Sequence, residues 1–276
     1  MPLPDEFTFT QSNLQDYVEC PRRFELRYVL QRQWPAVEAE PLVERERHMQ
    51  QGATFHHMVH QHSVGVPEDV LSQMATDSPL KGWWDNYLQH GLDNLPATRH
   101  PEIVLRAPLG DYRVLAKIDL LALDSERAVI VDWKTATRRP KREHLAKRLQ
   151  TVVYPYVLVQ AGAYLNGGKP FTPEQVEMVY WFADDPHNPE RFAYSQAQYQ
   201  ADESTLLGLV EEITARTAFD LTAQEWRCKF CTYRSLCNRG ISAGDADSLD
   251  ESLFDDLVDE DDGIDFDFDQ IAEVTF

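Results

Sequence analysis

The pattern of apolar and polar positions is sharpest between Val114 and Thr135. Val114 to Leu123 is apolar and β-branched enough for a buried strand, Asp124-Ser125-Glu126-Arg127 supplies a turn, and Ala128 to Trp133 forms a second strand. Glu102 to Pro108 reads as a third, joined to the strand of Asp119 through a Gly110-Asp111 hairpin turn. Val176 to Ala183 and Arg191 to Tyr194 add two more. Helices alternate with them. Ser12 is read as the N-cap of a helix through Leu14, Tyr17 and Val18, and Cys20-Pro21 ends it and starts another that carries Phe24, Tyr28 and Leu30. Residues 31 to 50 give no core signal, and Gly52 is read as opening a helix over His56 to His62. Trp83, Trp84, Tyr87 and Leu88 fall at helical spacing within a small helical segment over residues 64 to 100. Leu145 to Leu165 and Leu206 to Phe219 complete the set.

Charge breaks this pattern at one place. Asp119 lies on the first of the two central strands, and Asp132 and Lys134 close the second; burying an unpaired charge is prohibitive. Asp132 and Lys134 are two apart and share a face, while Trp133 points away. A pairing that brings Asp119 alongside puts two carboxylates and an ammonium in one pocket. Either these groups satisfy one another as ion pairs, or they hold a hard cation such as Mg²⁺ or Mn²⁺.

Composition narrows the class. The chain has 276 residues with 43% hydrophobic content, enough for one domain with elaborations. It shows neither a transmembrane-length apolar run nor a signal peptide, so a soluble, cytoplasmic protein is expected. The net charge of −20 divides unevenly. Fourteen of the 46 acidic residues lie in 245–276, which holds no Lys or Arg, and the remainder is 32 acids against 26 bases. A body of net −6 with local basic clusters can bind nucleic acid. The main cluster is Arg138-Arg139-Pro140-Lys141-Arg142 through Lys147-Arg148, which reads as a partner for phosphate or as a solvated helix face.

Three further groups carry candidate chemistry. His56, His57, His60 and His62 crowd one helix; His56 and His60 share a face, and a helical His more often finds a hydrogen-bond partner or solvent than a metal. Gly52 lets another backbone approach. Gln150 and Tyr154 stand one turn apart, placed to contact a substrate backbone or to pack on the sheet. Cys20, Cys228, Cys231 and Cys237 are the cysteines, the last three as C-x2-C-x5-C. In an intracellular protein such a set holds a metal more often than disulfides, and spacing alone leaves zinc and an iron–sulfur cluster both open. Either centre would tie the N-terminal helices to the C-terminal end.

Taken in order, these motifs resemble the RecB-like branch of the PD-(D/E)XK nucleases, in particular its iron–sulfur members of the AddB and CRISPR-associated adaptation exonuclease type. The matching positions are Ser12, Leu14, Tyr17, Cys20, Pro21, Phe24 and Tyr28; Gly52 and His56; Asp119; Asp132, Lys134 and Thr135; Gln150 and Tyr154; and Cys228, Cys231 and Cys237. Ala116 stands where the family often has Gly, three residues before the first aspartate.

The resemblance implies an α/β restriction-endonuclease-like core, a central mixed sheet flanked by helices, over residues 1–244, with a helical insertion at about 60–100 and a cluster loop at 226–240. It implies a Mg²⁺- or Mn²⁺-dependent DNA exonuclease, acting on single strands or ends in repair, recombination or CRISPR adaptation. His56, Asp119, Asp132 and the Trp133 carbonyl are expected to bind metal, Lys134 to act on water and the transition state, and Gln150 and Tyr154 to orient the strand. Cys20, Cys228, Cys231 and Cys237 are expected to hold a structural 4Fe–4S cluster.

Two other readings stay open, a nuclease-fold subunit that works only with a helicase or integrase partner, and a zinc-stabilised structural module. Residues 245–276, acidic with interspersed aromatics, are expected to be a disordered tail that mimics DNA, docks on a protein partner or solubilises the chain.

Overall fold

The fold is built on a mixed sheet with helices on both faces, seen in a computed structural model that describes residues 3–4, 6–32, 40–135, 139–229 and 231–240, the side chains of 40–46 excepted. The acidic tail, Arg138 and the domain boundary at 244 lie outside the described residues. In chain order the elements begin with β1 (Thr8–Thr10), α1 (Gln11–Glu19), α2 (Pro21–Phe24), a π-helical turn (Glu25–Val29) and α3 (Glu40–Ser63). The small helices α4 (Glu68–Ser72) and α5 (Ser78–His90) precede the strands β2 (Thr98–Leu109), β3 (Tyr112–Leu123) and β4 (Ala128–Lys134). Then come α6 (Arg142–Leu145), α7 (Leu149–Ala161), β5 (Val176–Phe182), β6 (Glu190–Ala193), α8 (Gln196–Ala215) and α9 (Glu225–Cys228).

The expected hairpin is present, with Leu109 opposite Tyr112 across Gly110-Asp111, and β3 and β4 pair antiparallel from Leu120–Val131 to Leu123–Ala128. The strand β1 is parallel to β3, and β5 lies parallel to β4 with β6 antiparallel beyond it. One face carries α1, α7 and α8 over Ile118, Leu121, Ile130 and Met178; the other carries α3 and α5 over Leu120, Val131, Trp133 and Trp181.

Several element bounds differ from the sequence reading. The first helix is capped by Thr10 and not Ser12, because Thr10 Oγ1 accepts from Asn13 N while Asn13 Oδ1 accepts from Thr10 N. Helix α3 begins twelve residues before Gly52, and α8 ten residues before Leu206. Both early stretches, EPLVERERHMQQ and QAQYQADEST, are mostly polar and carry no continuous apolar stripe. The expected helix from Leu145 to Leu165 is three pieces: α6, α7 and a 3₁₀ turn over Gly162–Asn166. The turn begins where Leu158 and Phe171 leave Gly162 no room for a side chain.

Candidate active site

The site forms where β3 and β4 splay apart. One step beyond the Leu120–Val131 pair, the register sets Asp119 opposite Asp132. Along β3 the alternation slips at this point: Ile118 and Leu121 both face the α7 side, and Glu102, the residue across from Asp119, takes a left-handed backbone with φ of 47°. The side chain of Asp119, 22% exposed, therefore sits at the break between β3 and β4.

From the α3 side, His56 Nδ1 lies 3.4 Å from Asp119 Oδ2, and the Trp133 backbone N–H donates to the same oxygen at 3.0 Å. From the α7 side, Gln150 Nε2 donates to Asp132 Oδ1 at 2.5 Å, and Lys134 Nζ donates to Gln150 Oε1 at 3.1 Å. Lys134 Nζ also lies 3.1 Å from Asp132 Oδ2, both side chains being about 95% buried or more. Gln150 Nε2 approaches Tyr154 Oη at 3.3 Å. The paired charges explain how a carboxylate and an ammonium stand on a strand whose every residue is buried. Trp133 points the other way, edge-on to Tyr87 and Trp181, as its parity requires.

Electrostatics sort these groups. Burial pushes Asp119 up, but the charge and hydrogen bond of His56, the Trp133 N–H and Lys134 outweigh it, so the carboxyl sits below the usual carboxylate range. Burial, then the charges of Asp132 and Asp119, hold the Tyr154 hydroxyl well above the usual phenol range, so it stays a neutral donor. Two residues that sequence reasoning passed over belong here. Tyr180 lies beside Asp132 on β5, and its ring face is 5.6 Å from Lys134 Nζ. His48, two turns before His56 on the same helix face, places Nε2 3.1 Å from the Thr135 carbonyl oxygen. A spacing of eight on a helix was the available signal for His48; nothing in the sequence pairs Tyr180 with Asp132 before the strand order is known.

Of the other histidines, His62 Nδ1 contacts Tyr87 Oη at 3.2 Å. Part of the basic cluster is paired within the protein itself. Arg139 pairs with Asp185 and Glu190 and lies over Phe182, and Arg142 pairs with Glu190 and lies over Phe192.

Cys20, Cys228 and Cys237 lie near one another where the two ends of the described chain meet. Cys20 is the residue before Pro21, where α2 begins, Cys228 ends α9, and none of the four cysteines forms a disulfide. Burial, then the charges of Cys20 and Cys237, push the Cys228 thiol up; burial and Cys20 do the same to Cys237. Around them Arg227 pairs with Glu19 at 3.2 Å, Tyr233 Oη donates to the Arg32 carbonyl at 2.8 Å, and Arg22 N–H donates to the Asp220 carbonyl at 3.1 Å.

Among the described residues, no three of His, Cys, Asp and Glu converge closely enough to enclose an ion as they stand. The donor chemistry nevertheless suits two different groups. One imidazole with two carboxylates and a carbonyl suits a hard divalent cation, and four thiols suit zinc or iron–sulfur.

A model of the PD-(D/E)XK nuclease superfamily matches residues 8–238, and the chain belongs to that superfamily. Among solved structures, a protein named "Putative exonuclease" from Eubacterium rectale overlays with a TM-score of 0.51 at 10% identity, covering 87% of this chain and 91% of that one. A second, SSO0001, gives a TM-score of 0.40 at 15% identity over 85% and 87% of the two chains. The first shares the fold. No curated protein sequence matches the chain significantly. Among the described residues no helix is long and apolar enough to cross a membrane.

Proposed function

We propose that this chain is a divalent-metal-dependent DNA exonuclease acting on single strands or strand ends, with a four-cysteine 4Fe–4S cluster holding its termini together. The observation that carries the reading is the convergence of Asp119, Asp132, Lys134, Gln150 and His56 at one opening of the sheet, within hydrogen-bond reach in pairs. His56, Asp119, Asp132 and the Trp133 carbonyl would hold Mg²⁺ or Mn²⁺. Such an ion supplies positive charge to the phosphate and lowers the pKa of water.

The protein's own groups supply the rest. Gln150 bridges Asp132 and Lys134, fixing both at once. Lys134 presents an ammonium beside Asp132, aimed where charge grows on a pentacovalent phosphate. Tyr154, kept neutral, can donate to a phosphate oxygen of the bound strand, and Gln150 orients it. The cysteine centre is structural, because Cys20 and Cys228 lie at opposite ends of the chain and their union closes a very long loop.

The test pairs two measurements on anaerobically purified protein. End-labelled single-stranded DNA should shorten with Mn²⁺, remain whole with EDTA, and remain whole with Asp132→Ala or Lys134→Ala. Iron and acid-labile sulfide with visible absorption should accompany the wild type. Cleavage that survives in both variants would sink the active-site assignment, and a colourless zinc protein would sink the cluster.

A further inference from the structure

The hairpin of β2 and β3 presents a basic stripe that leads to Asp119. Val114, Ala116 and Ile118 are buried on the α7 side, so Arg113, Leu115, Lys117 and Asp119 share the opposite face. The register adds their cross-strand partners to that face: Pro108 beside Arg113, Arg106 beside Leu115 and Val104 beside Lys117. Arg106, Arg113 and Lys117 are exposed. The side chains of Arg106 and Arg113 have no hydrogen-bond or ion-pair partner among the described residues. Lys117 has Glu102 at 3.5 Å, an exposed pair of small worth. This contrasts with Arg139 and Arg142, whose charge is already met by Asp185 and Glu190.

We propose that this ribbon face is the track along which a single DNA strand reaches the carboxylates, an inference that rests on the nuclease reading. Unneutralised bases in a row are what a sugar–phosphate backbone requires. Arg113 lies six residues before Asp119, roughly 20 Å along the strand, which is the scale of several nucleotides. Neighbouring strands are about 4.8 Å apart, so the stripe is narrow. The backbones of a duplex are set apart by grooves of about 6 and 12 Å and cannot both lie on it. Val104, Leu115 and Pro108 stand between the charges and offer apolar ground for unstacked bases. At the end of the stripe the slip in β3 turns the path into the site.

The test measures affinity for a fluorescein-labelled single-stranded oligodeoxynucleotide without divalent ions, across a KCl series. Wild type, Arg106→Gln/Arg113→Gln and Arg142→Gln are compared, and thermal unfolding confirms that each variant is folded. Loss of two phosphate contacts should reduce the slope of log affinity against log salt by about 1.4, and weaken binding roughly 25-fold near 0.1 M salt, from about 0.7 per contact. Arg142→Gln should change neither, and affinity for a duplex of the same sequence should fall much less. An unchanged slope in the double variant, or an equal loss for the duplex, overturns the track. Wild type that binds no oligonucleotide even at low salt would overturn the nuclease reading itself.

Discussion

Thr135 occupies the space that a side chain at position 52 would need: a Cβ built on Gly52 would lie 2.9 Å from Thr135 Oγ1. The contact joins the residue after Lys134 to the helix that carries His56, and His48 reinforces it through the Thr135 carbonyl. Gly52→Ala should therefore go against its helix propensity. In an unobstructed helix interior the change stabilises by about 1 kcal/mol, whereas overpacking costs about 1–3 kcal/mol. We expect a net loss in urea denaturation and a higher half-saturating Mn²⁺ concentration for cleavage, since His56 lies one turn on. Thr135→Ala in the same chain should restore room and recover the propensity gain. If Gly52→Ala alone stabilises the protein, helix and strand are not locked at this point.

The Asp132–Lys134 pair predicts a stability that depends on metal. Lys134→Met takes the ammonium away from a buried carboxylate to which Gln150 still donates, and breaking such a pair costs about 3–5 kcal/mol. In EDTA the variant should unfold at distinctly lower urea than wild type. Saturating Mn²⁺ should narrow the gap, because a cation held as proposed would meet the same carboxylate and bind only the folded chain. Cleavage should be lost in either condition. A gap that stays constant on adding Mn²⁺ would remove Asp132 from the metal-binding set.

The cysteines are predicted to act as one unit. On the proposed 4Fe–4S reading, replacing any of Cys20, Cys228, Cys231 or Cys237 by alanine should release the iron and abolish visible absorption, since a cluster missing one thiolate is poorly held. Residues 226–240 should then become sensitive to limited proteolysis, although the Arg227–Glu19 and Tyr233–Arg32 contacts remain. Retention of iron in two or more of the four variants would separate those residues from the centre.

The fold was legible where apolar alternation was dense and poorly legible where polar residues form helix. The hairpin at Gly110-Asp111, both central strands and the opposition of Asp119 to Asp132 follow from period-two patterning and a short turn. The early parts of α3 and α8 escaped because mostly polar stretches form helix without marking a buried face. At the site, Asp132, Lys134 and Gln150 could be grouped by spacing. Tyr180 and His48 could not, since their places depend on β5 lying beside β4 and on how α3 packs. The pairing within the basic flank was hidden for a related reason. A run of Arg shows its charge in the sequence, but Asp185 and Glu190, more than forty residues on, show only in the fold that they neutralise it.

Asp202 should make stability depend on pH in a direction opposite to the usual carboxylate. It is 3% exposed on α8, where Tyr194 Oη donates to Oδ2 at 2.9 Å and Gln198 Nε2 to Oδ1 at 2.8 Å. Burial nonetheless prevails over these donors and raises its pKa above the ordinary 3.8. With the folded value above the unfolded one, folding takes up a proton between the two. The stabilisation is therefore complete below about pH 3.8 and is lost as pH rises through the folded value. Asp202→Asn keeps the shape, lets Tyr194 donate to the amide oxygen and removes the charge. Melting curves of the variant and wild type should lie together at the acid end and separate above pH 3.8, the variant gaining on wild type until the carboxyl is fully ionised. If wild type gains on the variant over that range, Tyr194 and Gln198 outweigh burial, and the folded pKa lies below the ordinary value.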